Sequence, residues 1–270
     1  MSDLDRVVEE TRRWSYSSGG FAERYERYRP RPPAALLDLL PPLAGVERPG
    51  LVVDLGSGTG LSTRFWADHA EAVIGIEPNP EMRAAAVAAT SAANVSYVAA
   101  AAHETGLADA RADIVTCSQS LQWMEPEPTF AEVARILRPG GVLAAYEYRW
   151  GLTTSWRVNE EFEAVFARKE ALRADLGVDP GPRWPVTRER FVDSRRFRSV
   201  DETTLHSVEQ VDPERIVGFL LSEGSTTTIL ASGVTEEQLG IDRLRAVADA
   251  ELGHEPSPWW LGYRVVLGRR

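Results

Sequence analysis

One cysteine, Cys117, stands in 270 residues, so no disulfide can close within the chain, which suits a reducing compartment. It falls in an apolar run and reads as a core residue. No apolar run approaches the roughly 18 residues of a membrane span. The first ten residues, MSDLDRVVEE, are too charged for a secretory leader, and a cytoplasmic location without a membrane partner is expected. A basic stripe is also missing. Thirty Lys and Arg face forty Asp and Glu, for a net charge of −10, which argues against a nucleic-acid partner. The four histidines, His69, His103, His206 and His254, are scattered and lack paired cysteines or an H-E-x-x-H pattern, so no metal is expected. There is no G-x-x-x-x-G-K-S/T loop and no G-x-G-x-x-G as written. Internal repeats and low-complexity tails are lacking as well.

What is present centres on Leu51 to Gly60, LVVDLGSGTG. Leu51, Val52 and Val53 read as a strand buried on both faces of a parallel sheet. The strand ends at Asp54-Leu55, and a helix begins near Leu61. Between them, Gly56, Ser57, Gly58 and Gly60 give a loop whose backbone a ligand can approach closely. Such a loop opens onto a helix N-terminus at the carboxyl edge of the sheet, where a nucleotide-like molecule binds. A second strand, Ala72 to Ile76, ends on Glu77, an acid placed to accept hydrogen bonds from ribose hydroxyls.

This loop with its acid resembles the cofactor site of class I S-adenosylmethionine-dependent methyltransferases. The resemblance implies S-adenosylmethionine as cofactor and S-adenosylhomocysteine as product. It also implies an α/β fold, doubly wound, with seven strands in the order 3-2-1-4-5-7-6, the last antiparallel, and helices on both faces. Further motifs follow in family order. Phe21, Tyr25 and Tyr28 fall on one helix face ended by Pro30, and resemble the Tyr-Arg-Pro entry of small-molecule methyltransferases such as the trans-aconitate group. There Tyr25, Tyr28 and Arg29 match residues near the cofactor's aminoacyl end, and a guanidinium suits a carboxylate. Helices are expected over residues 32–40, with Pro41-Pro42 after it, and over 80–90, capped near Pro78 or Asn79, with Met82 against adenine. A third strand over 95–101 leads to Ala102 and His103 at the adenine-binding turn, although an acid is common where His103 stands.

The fourth strand, 113–118, leads to Ser118 and Gln119 on the cofactor and Gln122-Trp123 on the acceptor; the family group often has His-Trp there, so a histidine base is missing at that place. A helix over 129–137, a tight turn Arg138-Pro-Gly-Gly141 and a fifth strand 142–148 complete the matching region. Tyr146, Glu147 and Tyr148 end that strand, and only alternate ones can face a site. A helix over 156–176, a sixth strand 199–211, a helix from Asp212-Pro213 to Leu221, helix within 235–252 and a seventh strand 259–267 are expected beyond it.

The whole chain reads as a single methyltransferase domain: residues 1–30 as a lid, 32–150 as the cofactor core, 151–198 as an inserted acceptor-site cap, and 199–270 as the rest of the sheet and helices. Trp150, Trp156 and Trp184 are acceptor-pocket candidates. The expected activity is in-line methyl transfer to a small molecule, a carboxylic acid or secondary metabolite, catalysed by proximity. His103 and Glu147 are the weak candidates for a base. Alternatives are a nicotinamide-dependent oxidoreductase, a non-catalytic S-adenosylmethionine-binding module, and a nucleic-acid methyltransferase. The last would want an N/D-P-P-Y/F motif where SQSLQW stands.

Overall fold

The structure is a computed structural model that describes residues 3–13, 20–149, 151, 153–177, 184–253 and 255–270, with backbone alone at 10–13. Three helices lead in: α1 (Asp3–Arg13), α2 (Phe21–Tyr28) and α3 (Ala35–Ala44). The cofactor-side half follows as β1 (Leu51–Leu55), α4 (Leu61–Phe65), β2 (Ala72–Ile76), α5 (Pro80–Ala88) and β3 (Val95–Val98). The second half is β4 (Ala112–Ser118), a 3₁₀ turn (Leu121–Trp123), α6 (Pro126–Ile136) and β5 (Leu137–Tyr148). Then come α7 (Trp156–Asp175), α8 (Arg188–Asp193), β6 (Ser199–Val211), α9 (Pro213–Leu221), α10 (Gly224–Ala231), α11 (Glu236–Leu239), α12 (Ile241–Leu252) and β7 (Ser257–Arg269).

The strands form one sheet in the order β3-β2-β1-β4-β5-β7-β6, as the sequence led us to expect. β1 pairs in parallel with both β2 and β4, and β7 runs antiparallel between β5 and β6. The strand order reverses between β1 and β4, which opens a crevice at their carboxyl ends. Successive residues of each strand feed opposite cores. Val52, Ile114, Tyr146 and Tyr148 join a core with α3, α7 and α9. Val53, Leu55, Val115 and Cys117 join one with α6, Val186 and Phe191. Cys117 is buried, and burial pushes its thiol pKa up.

Local chemistry sets most boundaries. Asn79 accepts from the amides of Glu81 and Met82 at the start of α5, with Pro80 in the first turn. Asp212 caps α9 through the Arg215 amide, ahead of Pro213. Several expectations shift. α3 runs through Pro41 and Pro42 rather than stopping before them, and it ends at Gly45 with φ of 72°. Arg138 to Gly141 is not a turn outside the sheet but an irregular start to β5, where the register with β4 slips between Ala112 and Ile114. β3 is shorter than expected, leaving the sheet after Val98. Gly240, φ 81°, splits the C-terminal helix into α11 and α12. α8 and α10 went unforeseen. The described residues of 151–198 pack on both faces of the sheet. They give α7 to the layer with α10–α12, and α8 to the opposite face, against β6 and β7. Among the described residues no helix is long and apolar enough to cross a membrane.

Candidate functional site

The β1 loop is shaped by what stands behind it. Gly56 has φ of 65°, and a Cβ there would lie 2.7 Å from Ser120 Cβ and 2.8 Å from Met124 Cε. Only glycine lets the β4 segment press so close. Gly58, φ 56°, faces Met82 Cε, which a Cβ would meet at 3.4 Å. Met82 is therefore buried against the loop. The Gly58 amide donates to Glu77 Oε2 at 2.8 Å, and the Asn79 amide donates to Oε1 at 2.8 Å. Glu77 is 6% exposed; burial pushes its carboxyl up to about 7, against the opposing pull of those two amides and Arg83. Pro78 follows half-buried, and its carbonyl accepts from Arg83 at 3.2 Å.

Asp54 lies beneath the loop, not in it. It is fully buried, and its two oxygens accept from Thr63 Oγ1 at 2.7 Å and Thr116 Oγ1 at 2.9 Å. Burial raises its pKa to about 6 despite these hydroxyls and Ser62. The family resemblance places Asp54 in the cofactor site; in the fold its oxygens are committed to α4 and β4, where it holds the loop's foundations.

Above the loop runs a narrow cleft. One wall is Gly56, Ser57, Gly58 and Ser62; another is Ser118 and Gln119; the third is Tyr25, Arg29, Tyr148 and Tyr263. Gln119 sits at φ 55°, its amide donating to the Tyr146 carbonyl at 3.0 Å. Its Nε2 and the Ser57 Oγ are buried with no hydrogen-bond partner in the structure. Arg29 is 8% exposed and lies between the rings of Tyr25 and Phe219, 4.8 and 5.4 Å from their centres. Its Nε and Nη2 donate to Ser222 Oγ and O at 2.9 and 2.7 Å, and Nη1 donates to the Tyr148 hydroxyl.

Other expected residues fall elsewhere. Gly60, φ 83°, caps α4 against Tyr97 and Arg64 rather than lining the cleft. Tyr28 turns away to α9, bonding Glu214 at 2.7 Å and covering Gly218. Ala102 is buried at the turn after β3, and His103 Nε2 pairs with the Asp3 carboxylate of α1. Tyr146 and Tyr148 share a face and Glu147 takes the other, as alternation requires. Tyr148 lines the cleft, whereas Tyr146 stands behind Ser62, bonded to its hydroxyl at 2.6 Å. Glu147, raised by burial and lowered by Arg264, lies outside the cleft lining. Gln122 Nε2 donates to the Gln119 carbonyl at 2.9 Å, and Trp123 is half-buried in the same turn. The Trp184 amide donates to the Gln122 carbonyl at 2.8 Å, and its ring lines a second cavity of about 210 Å³ with Met124 and Phe191. Trp156 is 70% exposed at the start of α7 beside Arg157 and does not line the cleft. Trp150 lies outside the described residues.

Ser62, Tyr263 and Ser222 were not foreseen. Tyr263 stands opposite Tyr148 in the β5–β7 register, so pairing the fifth and seventh strands in sequence would have found it. Among the described residues no three His, Cys, Asp or Glu side chains are arranged to hold a metal ion.

Residues 53–145 match the family model described as "Methyltransferase domain". The uncharacterised methyltransferase Rv3342 of Mycobacterium tuberculosis is 30% identical over 231 residues, covering 86% of this chain and 85% of that protein. The chain belongs to the class I S-adenosylmethionine-dependent methyltransferases. A malonyl-[acyl-carrier protein] O-methyltransferase of Pseudescherichia vulneris is 33% identical over 137 residues, 50% of this chain and 53% of that one. The solved structure of a proposed type II methyltransferase from Anaeromyxobacter dehalogenans superposes with a TM-score of 0.64 at 24% identity, covering 90% of this chain and 98% of that one, a likeness of fold. These findings set aside the oxidoreductase and the non-catalytic module. The methyltransferase cofactor is S-adenosylmethionine, and the residues present fit it: a glycine-walled backbone surface, a buried acid at the end of β2, and the unpartnered Ser57 Oγ and Gln119 Nε2 beside the cleft.

Proposed function

We propose that this methyltransferase modifies a small-molecule acceptor bearing a carboxylate, with the cleft of Tyr25, Arg29, Gln119 and Tyr148 as its reaction site. The carrying observation is the make-up of that cleft. Among the described residues its lining holds tyrosines and one arginine but no carboxylate or imidazole. Burial raises the pKa of Tyr25 and of Tyr148, making both poor bases at neutral pH. An acceptor already ionised needs no base, so it suits this lining; an ammonium or alcohol does not.

In this reading Glu77 takes the ribose hydroxyls, Met82 and Ala102 border the adenine, and Arg29 takes the aminoacyl carboxylate. Bound S-adenosylmethionine supplies an already activated methyl group, passed in line to the acceptor atom. The chain's part is to orient and to exclude water, holding the acceptor in a near-attack position about 3 Å away. α1 and α2 close over the site as a lid, α1 through Asp3 and His103 and α2 through Tyr25 and Arg29. The trans-aconitate-like subgroup is supported by the cleft position of Tyr25 and Arg29 and weakened by Tyr28, which faces α9. The Pseudescherichia relative, a malonyl-[acyl-carrier protein] O-methyltransferase, supports an oxygen acceptor of acyl type. The net charge of −10 and the buried Cys117 support a cytoplasmic enzyme without a nucleic-acid partner.

The test is a screen of carboxylic acids, amines and phenols with the purified protein and S-adenosylmethionine, read by mass spectrometry. Methyl esters of acids are expected. Methylation of amines or phenols alone would defeat the reading.

A further inference from the structure

Lys169 is the only lysine in the chain, among thirty cationic Lys and Arg side chains. It is 2% exposed on α7, and its Nζ lies 3.0 Å from Glu223 Oε2. Glu223 caps α10, accepting from the Thr226 amide at 2.8 Å, Thr226 Oγ1 at 2.9 Å and Ser225 Oγ at 2.6 Å. Burial alone would raise its pKa, but the Lys169 charge and these donors outweigh it and carry the carboxyl down to about 2. The residue before it is Ser222, fully buried at the corner between α9 and α10. Ser222 accepts two bonds from the Arg29 guanidinium. The anchorage therefore runs from α7 through Lys169, Glu223 and Ser222 to Arg29 and on to the Tyr148 hydroxyl, at the wall of the cleft.

A buried ion pair is a poor source of stability, since desolvation offsets its attraction, and well-packed apolar residues often serve as well. What such a pair does supply is a fixed geometry. The Lys169 ammonium, held on Glu223 Oε2, ties α7 to the α9–α10 corner. The corner in turn fixes the fork of Arg29, whose planar donors recognise a carboxylate only when correctly aimed.

We propose that Lys169 and Glu223 are positioning residues that aim Arg29 at the carboxylate of the adenosyl ligand; this rests on the reading of Arg29 given above. The test uses two ligands that share adenosine and a thioether, S-adenosylhomocysteine and 5′-methylthioadenosine, of which only the first has the aminoacyl arm. Calorimetric Kd values are measured for the wild type, for Arg29→Gln, for the double variant Lys169→Met with Glu223→Gln, which leaves no uncompensated buried charge, and for Glu223→Asp, which keeps the charge on a shorter arm. The double variant is expected to weaken S-adenosylhomocysteine roughly tenfold, the scale of one charge-assisted bond, with 5′-methylthioadenosine within about twofold. Glu223→Asp is expected to show the same selectivity to a smaller degree, and it decides the matter if the double variant does not fold. Equal weakening of both ligands, or no weakening of either, would overturn the positioning role. If Arg29→Gln itself leaves the ratio of the two Kd values unchanged, the carboxylate reading of Arg29 fails first, and the proposal falls with it.

Discussion

The Glu77 carboxylate accepts the Gly58 amide proton at 2.8 Å, so the acid that ends β2 also holds the turn that follows β1. The acid proposed to hold the ribose and the glycine loop are one unit. Glu77→Ala should therefore weaken S-adenosylhomocysteine binding by about 1.5–3 kcal/mol, the range for a bond to a charged group, or some 10- to 100-fold in Kd. Calorimetry checks it, and an unchanged Kd would place the ribose elsewhere.

Burial raises Glu77 to about 7, so its protonation favours the folded state. That contribution is fully present below the unfolded carboxyl's pKa, about 4.3, and is lost as pH rises through about 7. Thermal stability should decline between those limits, and Glu77→Gln should flatten the upper part of the decline. Asp54, raised to about 6, leaves a residual slope at lower pH. Ligand affinity should run the other way. A ribose hydroxyl donates best to the ionised acid, so affinity falls as pH drops below about 7, and Glu77→Gln should remove that dependence. Melting curves and Kd values from pH 5 to 8.5 test both signs.

Asp54→Ala should act on the fold first. It strands the buried hydroxyls of Thr63 and Thr116, which now donate to its two oxygens. Leaving such groups unpaired costs about 1–3 kcal/mol. Urea denaturation should show a lowered midpoint with m unchanged. An unshifted midpoint would mean that Asp54 is not the tie between β1, α4 and β4.

Gly56→Ala should cost both stability and affinity. The added methyl meets Ser120 Cβ, fixed to its backbone, at 2.7 Å, on a backbone with φ of 65°, while Met124 Cε at 2.8 Å is the free end of a side chain that can swing aside. A lower melting temperature together with weaker S-adenosylhomocysteine binding is expected; wild-type values in both would contradict the close approach of the β4 segment.

The sheet was legible because β1, β2, β4 and β5 hold apolar runs and β6 alternates, and their family order fixed the topology. The loop and Glu77 were legible for the same reason: their spacing carries a mechanism. Asp54 was legible as the acid that ends β1, but its bonding was not, because only the fold brings Thr63 and Thr116 to it. Tyr146 and Tyr148 were both named, and a depth difference along one face decided between them. The exposure of Trp156 was not legible, because an aromatic at a helix start carries no signal of which way it points. Ser222 was invisible, since its importance is a contact with Arg29 across 193 residues of sequence.

The central claim is that the β1 loop and Glu77 hold an adenosyl cofactor. Parallel calorimetric titration with S-adenosylmethionine, S-adenosylhomocysteine and NADH tests it most directly. The account predicts micromolar binding of both adenosyl ligands and none of NADH. Binding of NADH alone, or of no ligand, would contradict it.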